Sequence, residues 1–292
     1  MKGILYLCAT PIGNLEDITL RVLDTLKKVD IIAAEDTRHT LALLNHFNIH
    51  NTLISYHEHN KKEKGIYLIE KLLEGKSIAL VTDAGMPGIS DPGADMVKLC
   101  RDNDILVTVL PGAVAAVTAL VLSGFDTRRY IFEGFLPYDK KEKRNVLESI
   151  KKETRTIIFY EAPHHLLNTL NILYETLGNR NAACVRELTK KYEEVKSDTL
   201  QNLISFYNEN QPKGEFVIIL EGISKEELKE EKVKSFELIS IKEHMEMYIL
   251  KGMSQKDAIK QVAKDRDMNK RDVYSFIHKK EWKRKLYVSR FI

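Results

Sequence analysis

The sequence predicts an α/β protein with two domains, each built from alternating strands and helices, followed by a small basic helical module. Short apolar runs that end in turn residues alternate with stretches of helical periodicity, which is typical of strand–helix units around a mostly parallel sheet. The chain has 292 residues, more than one small core usually holds. After Gly222 the composition changes to mainly charged and helical, which indicates a separate third module.

The two α/β domains are predicted over residues 1–122 and 123–224. A helix of small residues ends at Ser123-Gly124, and the boundary is placed there because a new series of apolar runs follows. The predicted strands of the first domain are Ile4–Leu7, Ile31–Ala34, Ile78–Val81 and Ile105–Leu110, separated by helical stretches at Leu20–Val29, Thr40–Phe47, Ile66–Leu73 and Ala94–Cys100. Those of the second domain are Tyr130–Phe135, Thr156–Tyr160, Ala182–Arg186 and Glu215–Leu220.

The third module, predicted over residues 225–292, has the pattern of a small helix-turn-helix unit. Ser254-x-x-Asp257 and Asn269-x-x-Asp272 both fit a helix N-cap with an acid three residues later. Residues 231–292 hold 16 Lys and Arg against 9 Asp and Glu, whereas residues 1–230 have a net charge of −4. The basic end predicts contact with a polyanion, and a solvated lysine-rich surface is the alternative. The stretch after His278 continues this basic composition.

Composition excludes several classes of protein. No apolar run approaches the roughly 18–20 residues of a membrane helix, and the N-terminus lacks the pattern of an export signal. The three cysteines, Cys8, Cys100 and Cys184, are far apart and odd in number, which predicts a cytoplasmic protein without a disulfide framework. The pairs His57/His59 and His164/His165 have no further ligand at zinc spacing, so no metal site is predicted.

Three turns rich in glycine or proline follow predicted strands, at residues 9–14, 82–88 and 111–114. Ligands of parallel α/β sheets bind beyond the carboxyl ends of the strands, where glycine lets backbone amides approach a ligand closely. One such turn alone usually only reverses the chain, but three at one sheet edge predict a nucleotide-like pocket. The dinucleotide and phosphate-loop glycine motifs are both missing from the sequence, so this pocket is not of either type.

Polar clusters follow other strands. The segment Glu35–His39 has more polar residues than a helix start requires, so Glu35 or Asp36 is predicted to accept a proton and Arg38 to hold a phosphate. The alternative is that Asp36 or Thr37 simply caps the next helix. Similar clusters lie at residues 159–165 and 186–194; a functional and a surface role are equally compatible with the pattern there, and Glu194 is better read as solvated surface.

Taken together, these segments resemble the RsmI-type 16S rRNA methyltransferases, a branch of the tetrapyrrole methylase superfamily. The resemblance runs over residues 3–222, extends to the C-terminal module, and is carried by LYLCATPIGNLEDIT, AAEDTRHT, VTDAGMPGISDPG, VLPGAVAAVTAL, FYEAPHH and RELTKKYEE. It implies two α/β domains of the tetrapyrrole methylase type, with S-adenosyl-L-methionine bound in the cleft between them. It also implies a homodimer that methylates the ribose 2′-oxygen of a decoding-centre cytidine in 16S rRNA.

The resemblance further implies a set of cofactor residues, whereas the candidates for catalysis and for RNA binding come from the polar clusters and the basic charges described above. Cofactor binding is expected at Pro11, Gly13, Asp83, Gly85, Pro87, Gly88, Gly112, Ala113, Val114, Tyr160, Glu161 and Cys184. The candidates for the catalytic acid–base groups are Glu35, Asp36, Arg38, Glu187 and Lys190. Phosphates of the small-subunit RNA are expected to contact Arg38, Arg186, Lys260, Lys264, Lys270 and Arg271.

Two other functions remain open from the sequence. The first is methylation of a porphyrin-like or corrin-like small molecule, but relatives that act on tetrapyrroles carry Gly-Asp-Pro where this chain has Thr82-Asp83-Ala84. The second is a non-catalytic RNA-binding assembly factor, which would not need the dense acid–base clusters at the strand ends.

Overall fold

Two five-stranded sheets, one in residues 4–110 and the other in residues 130–220, form the framework of the protein. The computed structural model describes residues 1–277, without the side chains of residues 225, 231 and 232. Residues 1–222 form one compact unit that holds both sheets, and a second, helical unit begins at Ile223. In the sequence, the domain boundary predicted near Gly124 falls between the strands of the first sheet and those of the second. This boundary remains a prediction. None of the helices in the described part is long and apolar enough to cross a bilayer.

The first sheet is entirely parallel, with the strand order β3-β2-β4-β1-β5. Its strands are β1 (Ile4–Cys8), β2 (Ile31–Ala34), β3 (Leu53–Ser55), β4 (Ile78–Val81) and β5 (Leu106–Leu110). The four predicted strands are confirmed within one residue at each end. The sequence analysis missed β3, because this edge strand has only three residues and all are half-buried.

Helices cover both faces of the first sheet, as a parallel sheet requires. They are α1 (Leu20–Lys28), α2 (Thr37–His46), α3 (Lys61–Leu73) and α4 (Gly93–Asp102), and a short 3₁₀ turn covers Leu15–Asp17. Val22, Leu26 and Leu44 pack on one face of the sheet, whereas Leu68 and Met96 pack on the other. Helix α1 starts at its predicted position, and the other three helices start one to five residues earlier than predicted. They do so because the residues of a helix cap and first turn need not follow the apolar periodicity.

The second sheet is mixed, with the strand order β6-β7-β10-β8-β9. Its strands are β6 (Tyr130–Gly134), β7 (Thr156–Glu161), β8 (Asn181–Arg186), β9 (Glu194–Thr199) and β10 (Phe216–Leu220). Strands β6 and β7 are parallel, while β10 runs antiparallel to both β7 and β8, and β9 runs antiparallel to β8. The polar edge strand β9 was not predicted, because its sequence EVKSDT has no buried alternation.

The helices of the second sheet are α5 (Ala115–Ser123), α6 (Lys140–Ile150), α7 (Pro163–Leu177) and α8 (Leu200–Glu209). Helix α5 covers one face through Ala116, Ala119 and Leu120, and the other three helices cover the opposite face. Pro163 begins α7, as predicted, where its missing N–H costs no helical hydrogen bond. The β7–α7 loop is therefore held between a buried strand and a well-defined helix start.

The second unit contains α9 (Lys225–Glu237), α10 (Ile241–Leu250) and α11 (Gln255–Asp265), and residues 270–277 are also helical. The predicted pair of short helices is confirmed, and Ser254 caps α11 as its sequence indicates. Ala258, Val262 and Val273 form a small core with Met245. The basic tail after His278 lies outside the described residues.

Candidate functional site

The loops that follow the strands of both sheets enclose one cavity of about 510 Å³ in the first unit. Loops after β2, β4 and β1 lie side by side because these parallel strands are neighbours. From the second sheet, the ends of β7 and β8 meet the start of β10, since Phe216 pairs with both Glu161 and Arg186. The cavity is lined by Ile12, Glu35, Thr82–Met86, Ile89–Asp91, Val114, Ala115, Phe135, Tyr160–Pro163, Val185, Leu188 and Glu215–Val217. Its volume is typical of a cofactor or small-ligand site.

Two backbone hydrogen bonds form a bridge between Thr10 and Gly85, which connects the loop after β1 to the loop after β4. The Thr10 N–H donates to the Gly85 carbonyl at 2.9 Å, and the Gly85 N–H donates to the Thr10 carbonyl at 3.1 Å. Gly85 adopts φ +84°, which favours glycine, and an added Cβ would lie 3.2 Å from Ile12 Cγ2 and 3.4 Å from the Ala113 carbonyl oxygen. The bridge therefore gives the cavity a rigid wall of peptide groups.

Glu35 and Asp83 place carboxylates on this wall. Glu35 Oε2 accepts a hydrogen bond from Thr82 Oγ1 at 2.7 Å, and Asp83 Oδ1 accepts one from the Asp36 N–H at 3.0 Å. No donor within the described residues contacts the second oxygen of either carboxylate. Each side chain is thus fixed by one hydrogen bond and has one oxygen left for a ligand.

Asp36 and Arg38, which the sequence grouped with Glu35, lie outside the cavity lining. Asp36 caps α2 by accepting from the Arg38 N–H at 2.8 Å, and its carboxylate also accepts from Arg38 Nε and Nη2. Hydrogen bonds from the Arg38 guanidinium and N–H hold the pKa of Asp36 well below its usual value. The helix-cap interpretation of Asp36 is confirmed, and the Arg38 side chain is 90% exposed, available to an anion from solvent.

Aromatic rings form much of the opposite wall. Tyr160 has its ring edge-on to Phe132 and Phe135, with centroids 5.0 and 5.6 Å away, and its hydroxyl accepts from the Ala116 N–H at 3.1 Å. Burial raises the pKa of Tyr160, although the Ala116 hydrogen bond opposes this shift. Both Glu161 oxygens are used internally, by the Ala162 N–H at 2.8 Å and Thr169 Oγ1 at 2.5 Å. This wall therefore offers an apolar aromatic surface, and its carboxylate Glu161 is already hydrogen-bonded.

Glu187 and Lys190 form an ion pair beside the cavity, not in it. Lys190 Nζ donates to Glu187 Oε1 at 3.1 Å and to Glu215 Oε2 at 2.9 Å, and Glu187 Oε1 also accepts from the Glu215 N–H at 2.9 Å. Burial raises the pKa of Glu187, but the hydrogen bonds from Glu215 and Lys190 outweigh it, so the net pKa is below the usual value. The pair holds the β8–β9 loop and the start of β10 together, which positions Leu188 on the cavity.

The family model for Tetrapyrrole (Corrin/Porphyrin) Methylases matches residues 4–204. The chain belongs to the tetrapyrrole methylase family. A Bacillus subtilis member of that family, named Ribosomal RNA small subunit methyltransferase I, is 53% identical over 279 residues, covering 96% of this chain and 95% of the relative. This tetrapyrrole methylase is therefore a methyltransferase, and it groups with the members that carry that name.

Solved structures agree with the fold of this tetrapyrrole methylase. Diphthine synthase superposes with a TM-score of 0.61 at 15% identity, covering 75% of this chain and 90% of that protein. The uroporphyrin-III C-methyltransferase of Thermus thermophilus, solved with S-adenosyl homocysteine, gives a TM-score of 0.55 at 15% identity over 75% of this chain and 97% of its own. At this identity the likeness shows the fold alone, and it confirms the predicted fold class.

The structure brings about half of the expected cofactor residues of this tetrapyrrole methylase to the cavity. Those that line it are Asp83, Gly85, Val114, Tyr160 and Glu161, while Pro11, Gly13, Pro87, Gly88, Gly112 and Ala113 lie in the surrounding loops. Gly13 has a packing role: an added Cβ would lie 2.5 Å from Lys190 Cγ and 2.8 Å from the Leu188 carbonyl oxygen.

Cys184 requires a correction, because its side chain does not face the cavity. It is fully buried beneath α7 and α8, and burial raises the pKa of its thiol to about 12, as it does for Cys8 and Cys100. Its neighbour Val185 points to the other face of β8 and lines the cavity instead. At this strand end, Val185 and not Cys184 lines the cavity.

Several lining residues were not singled out from the sequence. Phe135, Leu188 and Val217 are apolar residues with no polar motif to mark them, and Phe135 is 56% exposed. Asp91 was passed over although it lies at the end of the motif MPGISDP; it accepts hydrogen bonds from the N–H groups of Gly88 and Gly93. An exposed aromatic directly after a strand is the signal that could have identified Phe135.

The predicted phosphate-binding residues fall into different settings. Lys260, Lys270 and Arg271 line one groove of the second unit, of about 810 Å³, together with Lys256 and the exposed ring of Tyr274. Lys264 is exposed but does not line that groove. Arg186 is already engaged, since Nε donates to the Lys213 carbonyl at 2.7 Å and Nη1 to Glu194 Oε2 at 3.1 Å.

Proposed function

We propose that the chain transfers a methyl group from S-adenosyl-L-methionine to the ribose 2′-hydroxyl of a decoding-centre cytidine in 16S rRNA. The observation that carries the proposal is a cofactor-sized cavity, with carboxylates on one wall and aromatic rings on the other, in a chain 53% identical to a small-subunit rRNA methyltransferase. The choice of ribose oxygen and of cytidine rests on the motif resemblance.

The cavity residues fit S-adenosyl-L-methionine. Tyr160 offers an apolar aromatic surface for adenine, and Asp83 has one carboxylate oxygen suited to ribose hydroxyl or amino groups. The peptide wall near Gly85 supplies backbone groups at close range. When bound, the cofactor supplies an activated sulfonium methyl group.

The protein's contribution to the reaction is mainly alignment. Holding two reactants in line can lower a barrier by roughly 7–11 kcal/mol in favourable cases. Of the five acid–base candidates, Glu35 has the geometry of a general base, because it lines the cavity and retains one unpaired carboxylate oxygen. The Thr82 hydroxyl holds one oxygen of the Glu35 carboxylate through a hydrogen bond. The other oxygen can take the proton of the substrate hydroxyl.

The proposal is tested by incubating the full-length protein with radiolabelled S-adenosyl-L-methionine and 30S subunits that lack the modification. We expect label on a ribose 2′-oxygen of 16S rRNA, located by alkaline-resistance mapping and mass spectrometry. Label on a base, or none on RNA despite cofactor binding, would overturn the proposal. In the second case, methylation of a tetrapyrrole or a non-catalytic role in RNA binding becomes the better hypothesis.

The groove of the second unit is proposed to hold rRNA phosphates. Lys260, Lys270 and Arg271 are exposed and form no ion pair within the described part of the chain. We expect the triple reversal K260E/K270E/R271E to weaken subunit binding and to reduce the slope of log K against log salt by about 2 to 3, since each phosphate contact contributes about 0.7–0.9. Filter binding between 50 and 200 mM salt, concentrations at which such contacts differ strongly, measures both quantities.

A matched variant separates this effect from net charge. K234E/K242E/K251E makes the same charge change in the same unit, at exposed positions outside the groove. Equal losses in the two variants would refute a specific role for the groove.

A homodimer is also proposed, as the resemblance implies. Exposed apolar side chains are frequent between residues 106 and 130, at Leu106, Val109, Val117, Val121, Leu122 and Tyr130. Contiguous exposed apolar patches are typical of a surface that another protein covers, so this segment is our candidate for the dimer surface. Sedimentation equilibrium measures the mass, and a monomer at micromolar concentration would contradict this assignment. As part of the same proposal, we expect a protein with an rRNA substrate to be located in the cytoplasm.

A further inference from the structure

Two exposed aromatic rings follow the edge strand β6 at the rim of the cavity. Phe135 lines the cavity and is 56% exposed, and Tyr138 is 86% exposed. Among the described residues, the ring of Tyr138 is paired with that of His165, with 6.0 Å between centroids, and His165 lies in the first turn of α7, two residues after the lining residue Pro163. Among the described residues, no phenylalanine or tyrosine is more exposed than Tyr138.

Exposed cations follow these two rings in the sequence, at the start of α6. Lys140, Lys141 and Arg144 lie within the first five residues of this helix, and all three are exposed. Within residues 1–277, none of them forms an ion pair, although Asp139 and Glu142 are adjacent in sequence. The start of a helix favours acids over bases because of the helix dipole, so helix stability does not account for these cations.

We propose that Phe135, Tyr138, Lys140, Lys141 and Arg144, here termed the rim patch, bind the RNA strand that flanks the target nucleotide. The inference rests on the proposed function and extends it, because it assigns an RNA contact to the first unit. Proteins recognise unpaired RNA by stacking its bases on aromatic rings and by pairing its phosphates with Lys and Arg. The rim patch offers both, and its continuity with the cavity through Phe135 would guide the target ribose to Glu35.

The test compares the steady-state kinetics of full-length variants with 30S subunits as substrate. We expect K140E/K141E/R144E to raise KM for subunits by about tenfold or more, with kcat and the Kd for S-adenosyl homocysteine close to wild type. The control K27E/K62E/K98E carries the same charge change on exposed positions of α1, α3 and α4, and it should leave KM nearly unchanged. Thermal unfolding confirms that both variants fold.

Tyr138 provides an independent test of stacking. Tyr138→Ala is expected to raise KM by about fivefold or more, the lower limit for loss of one base–aromatic stack, and Tyr138→Trp is expected to restore it. Equal KM values for the rim-patch triple variant and its control would overturn the inference while the proposed function stands. A rise in the Kd for S-adenosyl homocysteine would also overturn it, since the patch would then act on the cofactor site. If wild-type protein leaves no label on subunits, the proposed function and this inference both fail.

Discussion

Glu35→Gln is expected to lower kcat for methyl transfer by about 10²–10⁴-fold, which is the usual contribution of a general base. Glutamine keeps the shape of the side chain and can still accept the hydrogen bond from Thr82 Oγ1, so the cavity should stay intact. What it loses is the negative charge and the second carboxylate oxygen, which no donor among the described residues contacts. Single-turnover transfer from radiolabelled S-adenosyl-L-methionine to 30S subunits measures the rate, and calorimetry with S-adenosyl homocysteine measures cofactor affinity.

Asp36→Asn is the matched control for this experiment. Asparagine is as good an N-cap as aspartate, so the variant removes a charge next to Glu35 without removing the helix cap. The lost ion pair with Arg38 is exposed, and such pairs are worth little. We expect kcat near wild type. A large loss in Asp36→Asn together with a small one in Glu35→Gln would assign the base to Asp36 instead.

Glu187→Gln tests whether the second group of acid–base candidates, Glu187 and Lys190, takes part in the chemical step. Because Glu187 is paired with Lys190 beside the cavity, its replacement should lower thermal stability more than the rate of the chemical step.

The sequence predicted the buried framework well, since buried strands and helix faces are the parts that periodicity reports. The four main parallel strands and the four predicted strands of the second sheet all appear within one residue of their predicted bounds. The two missed strands, β3 and β9, are edge strands with weak burial, and their pairing depends on a neighbour that is distant in sequence. The position of β10 between β7 and β8, antiparallel to both, was not predicted either. Strand order and strand direction depend on tertiary contacts rather than on the local sequence.

The candidate site was predicted best where its chemistry is carried by the backbone. Glycine-rich turns marked the β1 and β4 loops, and the bridge from Thr10 to Gly85 lies there. Side-chain direction was harder to predict: Cys184 and Val185 are adjacent in β8, yet only Val185 reaches the cavity. Which acids remain free also depends on distant partners. Asp36 and Glu187 look as suitable as Glu35 in the sequence, but Arg38 and Lys190 engage them in the folded protein.

Gly85→Ala is expected to weaken binding of S-adenosyl homocysteine by about tenfold or more. At φ +84°, a Cβ is strained, which costs of order 1–3 kcal/mol, and it would also crowd Ile12 and the Ala113 carbonyl. Relief of that strain requires the β4 loop to move, and the movement would break the two hydrogen bonds to Thr10 that form the cavity wall. Isothermal calorimetry measures the affinity, and thermal unfolding measures the stability of the same sample.

Gly178→Ala controls for strain alone. Gly178 has the same φ of +84° at the end of α7, but an added Cβ there would meet nothing within 4 Å, and the residue is not part of the cavity lining. Both variants should lose stability, because both force alanine into a conformation that favours glycine. Only Gly85→Ala should lose cofactor affinity, since only its loop forms the cavity. If Gly178→Ala weakens binding equally, the loss reflects global destabilisation, and the wall formed by the Thr10–Gly85 bridge is not what holds the cofactor.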